Sequence, residues 1–69
     1  MKETFGKRLK DLRKERGLTL VELSRKVNVG KSIISLWEQD KCQPALDKVI
    51  ILAEFFDVSL DYISGRKDY

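Results

Sequence analysis

Apolar residues recur at helical spacing along nearly the whole chain, with no alternating apolar and polar run of the kind a strand needs and a single proline, Pro44. An all-α fold is predicted, a compact arrangement of five helices. The first helix, about Thr4 to Arg16, sets Phe5, Leu9 and Leu12 at i, i+4 and i+7 and turns Lys7, Lys10 and Lys14 outward. Gly17 ends it, because glycine takes the left-handed conformation without a Cβ clash. The second helix opens on a complete capping box: Thr19 caps the amide of Glu22 while Glu22 reaches back to Thr19. Leu18 packs on Leu23 as a hydrophobic staple. Its expected buried face is Leu20, Leu23 and Val27.

A tight corner follows at Asn28-Val29-Gly30. Asn28 is among the few non-glycine residues that accept positive φ at modest cost, and Gly30 can serve as the next N-cap. The third helix, near Lys31 to Gln39, carries Ile34 and Trp37 inward, while Lys31, Ser32, Ser35 and Leu36 fall on other faces. Asp40 to Pro44 breaks the pattern as a loop, since proline forbids continuation and pushes Gln43 towards extended backbone. The fourth helix, about Ala45 to Phe56, is the expected core spine, with Val49, Ile50, Leu52, Ala53 and Phe56. A second corner, Asp57-Val58-Ser59, supplies Ser59 as N-cap of a short last helix, Leu60 to Ser64, which Gly65 stops. There is no repeat, linker or low-complexity segment.

Sixty-nine residues amount to one small domain. At this size a single core rarely supplies more than about 3–5 kcal/mol unless disulfides, metal, tight helix packing or oligomerisation help. One cysteine, Cys42, excludes an internal disulfide, and one cysteine with no histidine makes a zinc site implausible. Helix packing and oligomerisation are what remain. A reduced, cytoplasmic setting is the simplest reading. No apolar run approaches the roughly 20 residues of a membrane span, and Met1-Lys2-Glu3-Thr4 lacks the apolar core of a signal peptide.

The net charge of +3 conceals an asymmetry: residues 1–31 hold ten Lys or Arg against four acids, whereas 32–69 hold four against seven. Clustered positive charge favours polyanions by counterion release, a term independent of base sequence and steep in salt. Nucleic acid is the leading partner class. A merely solubilising surface is the plain alternative.

Between Leu18 and Glu38 the two short amphipathic helices and their corner have the spacing of a helix-turn-helix, a geometry that delivers one helix into DNA. Across residues 5–65 the chain carries Leu9, Leu12-Arg13, Leu18-Thr19, Glu22-Leu23-Ser24, Val29, Ile34-Ser35, Trp37-Glu38, Pro44, Leu52-Ala53 and Val58-Ser59-Leu60. In this order these residues resemble the phage-repressor and Cro type of helix-turn-helix domain, also called the XRE family. The resemblance implies a five-helix, lambda-repressor-like fold in a single domain over 1–69. Its core would span 5–65, its helix-turn-helix 19–38, and its short tails 1–4 and 66–69.

It also implies a sequence-specific regulator of transcription, most often a repressor, which binds double-stranded DNA at a near-palindromic operator. Such motifs bind as homodimers whose reading helices lie one turn, roughly 34 Å, apart. Lys31, Ser32, Ile33 and Leu36, with Ser35 adjacent, correspond to the family's base readers. Lys31 would donate to guanine, Ser32 would serve either kind of edge, and Ile33 and Leu36 would pack on thymine methyls. Thr19 and Leu20, at the start of the second helix, would offer amides to phosphate, and Lys41 and Gln43 would grip the opposite backbone. Arg25 and Lys26 read as solvated helix-surface charge.

The family commonly pairs the positions of Arg13 and Glu38, and the resemblance gives that pair an orienting role. Arg13→Met is therefore expected to loosen DNA binding more than folding. The dimer surface is expected at the end of the third helix, the Asp40 to Ala45 loop and the C-terminal helix. The chain departs from the family pattern at Leu20, usually glutamine, at Asn28 and Gly30 in the corner, at Leu36, usually polar, and at Asp40, usually glycine.

Enzyme readings fail on inventory: there is no histidine, no nucleophile triad and no glycine-rich cradle after a strand. Gly30-Lys31-Ser32 imitates the end of a P-loop, but Arg25 stands where the earlier glycine is required. No catalytic residue, metal, cofactor or small-molecule ligand is expected. Trp37 reads as a core anchor rather than a base-stacking platform, and Phe55, Phe56 and Tyr62 also read as structural. Two other classes compete. One is a protein-interaction module, antitoxin-like or antirepressor-like, using the Ile33/Leu36 face. The other is membrane or calmodulin-type binding by the basic helix Phe5 to Arg16.

Overall fold

A computed structural model describes residues 4–65. The expected tails 1–4 and 66–69 lie, apart from Thr4, outside the described residues. Five helices follow in order: α1 (Phe5–Glu15), α2 (Leu20–Val27), α3 (Lys31–Glu38), α4 (Leu46–Phe56) and α5 (Leu60–Ile63). Among the described residues there is no strand. Hydroxyl caps begin three of the helices. Thr4 accepts from the Lys7 amide, Thr19 from that of Glu22 in a closed capping box, and Ser59 from that of Tyr62.

The first four helices end alike. Gly17, Asn28, Asp40 and Asp57 sit in the left-handed region, with φ of 66°, 57°, 59° and 57°. The amide one residue further on then reaches back five positions in each case: Leu18 to Arg13, Val29 to Ser24, Lys41 to Leu36 and Val58 to Ala53. This closure satisfies carbonyls that a helix end leaves without partners. Three of the four carry Asn or Asp, which tolerate the conformation best among residues with a Cβ.

The apolar stripes meet in one core. Leu9, Leu23, Ile34, Leu52, Phe56 and Ile63 are fully buried, and Phe5, Leu12, Val27, Trp37 and Ala53 are close to it. α3 packs on α1 and α2, while α5 packs on α1 and α4. The buried face of α1 is thus Phe5, Leu9 and Leu12, covered by the protein's own helices. That corrects the reading of this helix as a free amphipathic membrane or calmodulin ligand, which would need that stripe open.

Two other expectations require correction. Ile50 is exposed rather than part of the spine, because in the run Val49-Ile50-Ile51-Leu52 a helix cannot turn every side chain inward. Leu20 is only half-buried at the edge of the core. Trp37 is a core residue, 4% exposed. Among the described residues no helix is long and apolar enough to cross a membrane.

Candidate nucleic-acid interface

α3 has one edge inside the core and the rest outside it. Ile34 and Trp37 are buried, whereas Lys31, Ser32, Ile33 and Leu36 are exposed and Ser35 is half-buried. Helical spacing stacks Ser32 and Leu36 on the side away from Ile34 and Trp37, with Gln39 continuing the row and Lys31 and Ile33 flanking it. Gly30 caps the helix with no side chain, so the amides of Lys31 and Ser32 at its first turn are not covered by a cap. Ile33 and Leu36 are 42% and 36% exposed.

Polar contacts fix how this helix sits. The Arg13 guanidinium donates through Nε and Nη2 to the two oxygens of Glu38, at 2.7 and 3.1 Å, and through Nη1 to the Leu18 carbonyl at 2.9 Å. One arginine thereby joins α1, the start of α2 and the end of α3. The two side chains are 12% and 7% exposed. Burial this deep changes the consequence of Arg13→Met: it would strand the Glu38 carboxylate and cost about 3–5 kcal/mol of folding. That variant alone cannot separate orientation from stability.

Asp40 makes a second tie. Its carboxylate accepts from the Thr4 hydroxyl at 2.7 Å and from the Gly6 amide at 3.0 Å, so the residue that ends α3 also caps α1. Its charge is placed at a helix N-terminus, where the dipole favours it. Gly6 makes the approach possible: a Cβ there would lie 2.5 Å from the Trp37 carbonyl oxygen and 2.7 Å from that of Glu38.

At the mouth of α2 the capping box consumes donors. The Thr19 amide donates to Glu22 Oε1 at 2.8 Å and the Glu22 amide to the Thr19 hydroxyl at 3.1 Å. The Glu22 carboxyl is held below the usual carboxylate range, first by the Thr19 amide and then by the Thr19 hydroxyl. Of the amides expected to meet phosphate here, that of Thr19 is therefore engaged. Those of Leu20 and Val21 remain, with the Thr19 hydroxyl hydrogen. Lys41 and Gln43 are exposed in the loop after α3, as are Arg25 and Lys26 on α2. The Lys41 amide is bonded to Leu36, which leaves its ammonium for a partner.

Sequence reasoning overlooked three contributors: Gly6, Asp40 and Gln39. Gln39 had a readable signal, since an amide four residues after a serine can reach back to it along a helix. Asp40 showed only as a departure from the family's glycine, and the contacts of Gly6 and Asp40 had no local signal, because their partners lie more than thirty positions away. Among the described residues no group of three or more Cys, Asp or Glu is placed to hold a metal.

Two helices joined by a left-handed Asn corner, with a third clasping them, define a helix-turn-helix unit. A helix-turn-helix family profile matches residues 9–63, and this chain belongs to that family. It is 44% identical over 64 residues to YobD, an uncharacterised helix-turn-helix-type transcriptional regulator of Bacillus subtilis (strain 168). That match covers 93% of this chain and 57% of YobD, so the chain spans little more than half of this relative. The fold superposes on the P22 c2 repressor protein in complex with a synthetic operator, with a TM-score of 0.87, 25% identity and coverage of 94% of this chain and 98% of the repressor. It superposes on SinR, the master regulator for biofilm formation, in complex with DNA, with a TM-score of 0.80, 33% identity and coverage of 87% and 97%.

Proposed function

We propose that this chain binds duplex DNA in the major groove through α3 and acts as a sequence-specific regulator of transcription, in the sense of a repressor. The observation that carries the reading is the division of α3. Ile34 and Trp37 anchor it in the core, while Ser32, Ile33, Leu36 and flanking Lys31 are exposed. Similarity to two proteins solved with operator or DNA supports it.

Lys31, Ser32, Ser35 and the apolar pair Ile33 and Leu36 read base edges, the last two against thymine methyls. The Leu20 amide, the Thr19 hydroxyl, Lys41 and Gln43 hold phosphates and set register without reading sequence. Arg13 and Glu38 hold the reading helix at its angle. A homodimer places two copies on a near-palindromic site, and a cytoplasmic setting suits both the DNA partner and the exposed, unpaired Cys42. The reading as an interaction module using Ile33 and Leu36 is not favoured: the matched relatives are helix-turn-helix regulators and repressors, and SinR, though also solved with SinI protein, is solved with DNA.

The test is selection of bound sequences from a random duplex library, followed by affinity at rising salt. A recurrent near-palindromic site is expected, with log affinity falling linearly in log salt, by about 0.9 per phosphate contacted. Indifference to every duplex at low salt would sink the proposal.

A further inference from the structure

Gln39 follows the exposed row of α3 and folds back over it. Its Nε2 donates to the Ser35 carbonyl at 3.1 Å and to the Ser35 hydroxyl at 3.0 Å. A carbonyl oxygen can only accept, so the amide must turn its NH2 group towards the helix and its Oε1 away. The Ser35 hydroxyl, accepting from that NH2, keeps its own hydrogen free to donate. The two side chains thus present one donor and one acceptor, fixed in order by bonds within the protein. Because the amide reaches back four residues, the acceptor lies beside the Ser35 turn and not at the end of the helix.

We propose that Ser35 and Gln39 form a preset donor–acceptor couple that specifies adenine at one position of the bound site. This rests on the reading of α3 as the helix in the major groove. Adenine offers N7 as acceptor and N6 as donor on that edge, matching the Ser35 hydroxyl and Gln39 Oε1. Guanine offers two acceptors, N7 and O6, and would set O6 against Oε1 with neither group paired. The bonds to Ser35 hold the amide against the rotation that would let it serve guanine. Leu36, next to Ser35, supplies apolar contact for a thymine methyl, so the couple works within an A·T-preferring surface.

The test repeats the duplex selection with Gln39→Met, Ser35→Ala and Gln39→Arg, each checked for helicity and thermal midpoint. The unaltered protein is expected to prefer adenine over guanine at one position per half-site by about tenfold. Gln39→Met and Ser35→Ala should each reduce that preference to below threefold and leave the other positions unchanged. Gln39→Arg, which presents donors only, should turn the same position towards guanine. Selected sites identical among all four proteins, or weakened equally at every position, would overturn the couple while leaving DNA binding intact. A folded protein that selects no duplex would overturn the parent reading and the couple together.

Discussion

Where α3 meets α1, contacts that are polar and demanding in geometry are added to the shared apolar core: a bidentate ion pair, a carboxylate cap across two helices, and a glycine allowing backbone to touch backbone. Where α4 and α5 complete the core the contacts are apolar, built on Leu52, Ala53, Phe56 and Ile63 with Phe55 set edge-on to Phe56 at 4.9 Å. Apolar burial is non-directional and supplies most of the folding free energy, whereas bidentate bonds constrain angle and add little net stability. The apolar contacts that α4 and α5 complete therefore serve folding, while the polar contacts between α1 and α3 also hold the reading helix at one attitude. Variants on the two sides should part stability from DNA affinity.

The largest effect is expected on the α4 side. Leu52 is 1% exposed, and Leu52→Ala should cost about 2–5 kcal/mol, comparable to the whole stability of a domain this small. A denaturant titration followed by circular dichroism should show a large unfolded fraction without denaturant. A cooperative transition near that of the unaltered chain would break the division of labour at its base. Gly6→Ala comes next, because the added methyl meets two backbone carbonyl oxygens, which cannot swing aside as a side chain can, as well as the Asp40 carboxylate. A loss of about 1–3 kcal/mol is expected from overpacking. Duplex affinity should fall by more than the unfolded fraction explains, since relief comes from tilting α3.

The apolar half of this division was legible in the chain and the polar half only in part. Periodicity placed Phe5, Leu9, Leu12, Leu23, Val27, Ile34 and Trp37 on inner faces, and local caps placed the helix ends, because both signals act within one or two turns. Arg13 and Glu38 were found through family resemblance, as nothing local links residues 25 apart. Asp40 was visible only as a departure from glycine. Its bonds to Thr4 and Gly6 depend on how the ends of α1 and α3 meet, which periodicity does not encode. Arg8 is buried with its guanidinium 4.2 Å from the Tyr62 ring centre, a placement for which the chain carries no local signal. Ile50 fails in the opposite direction, for apolarity alone does not say which side of a helix has a neighbour.

Removing both halves of the ion pair sharpens the contrast. Arg13→Met with Glu38→Leu strands no charge, and stability should stay within about 1 kcal/mol, since apolar replacement of buried pairs is often neutral or better. Duplex affinity should nonetheless fall about tenfold, equal to roughly 1.4 kcal/mol. Equal losses of folding and affinity would return the pair to an ordinary structural role. Outside the core, Leu46 and Leu60 are 68% and 43% exposed, the first just after the loop and the second opening α5. If a second copy covers them, Leu46→Lys and Leu60→Lys should each weaken self-association in sedimentation. Folding should shift by no more than about 0.5 kcal/mol. Unchanged sedimentation would move the dimer seam elsewhere.

The smallest effect lies at the mouth of α2, where a polar device stabilises a helix end without orienting α3. In the folded chain the Glu22 carboxyl is depressed by the Thr19 amide, then by the Thr19 hydroxyl. A group depressed on folding adds stability above its unfolded value, about 4.3 for glutamate, and loses it as pH falls through the lower folded value. Glu22→Gln carries no such titration. The thermal midpoint of the unaltered protein should exceed that of the variant at neutral pH, and the gap should narrow as acid protonates the box. Curves that run parallel down to pH about 3 would mean that Glu22 gains nothing from its bonds to Thr19 beyond what a neutral amide provides.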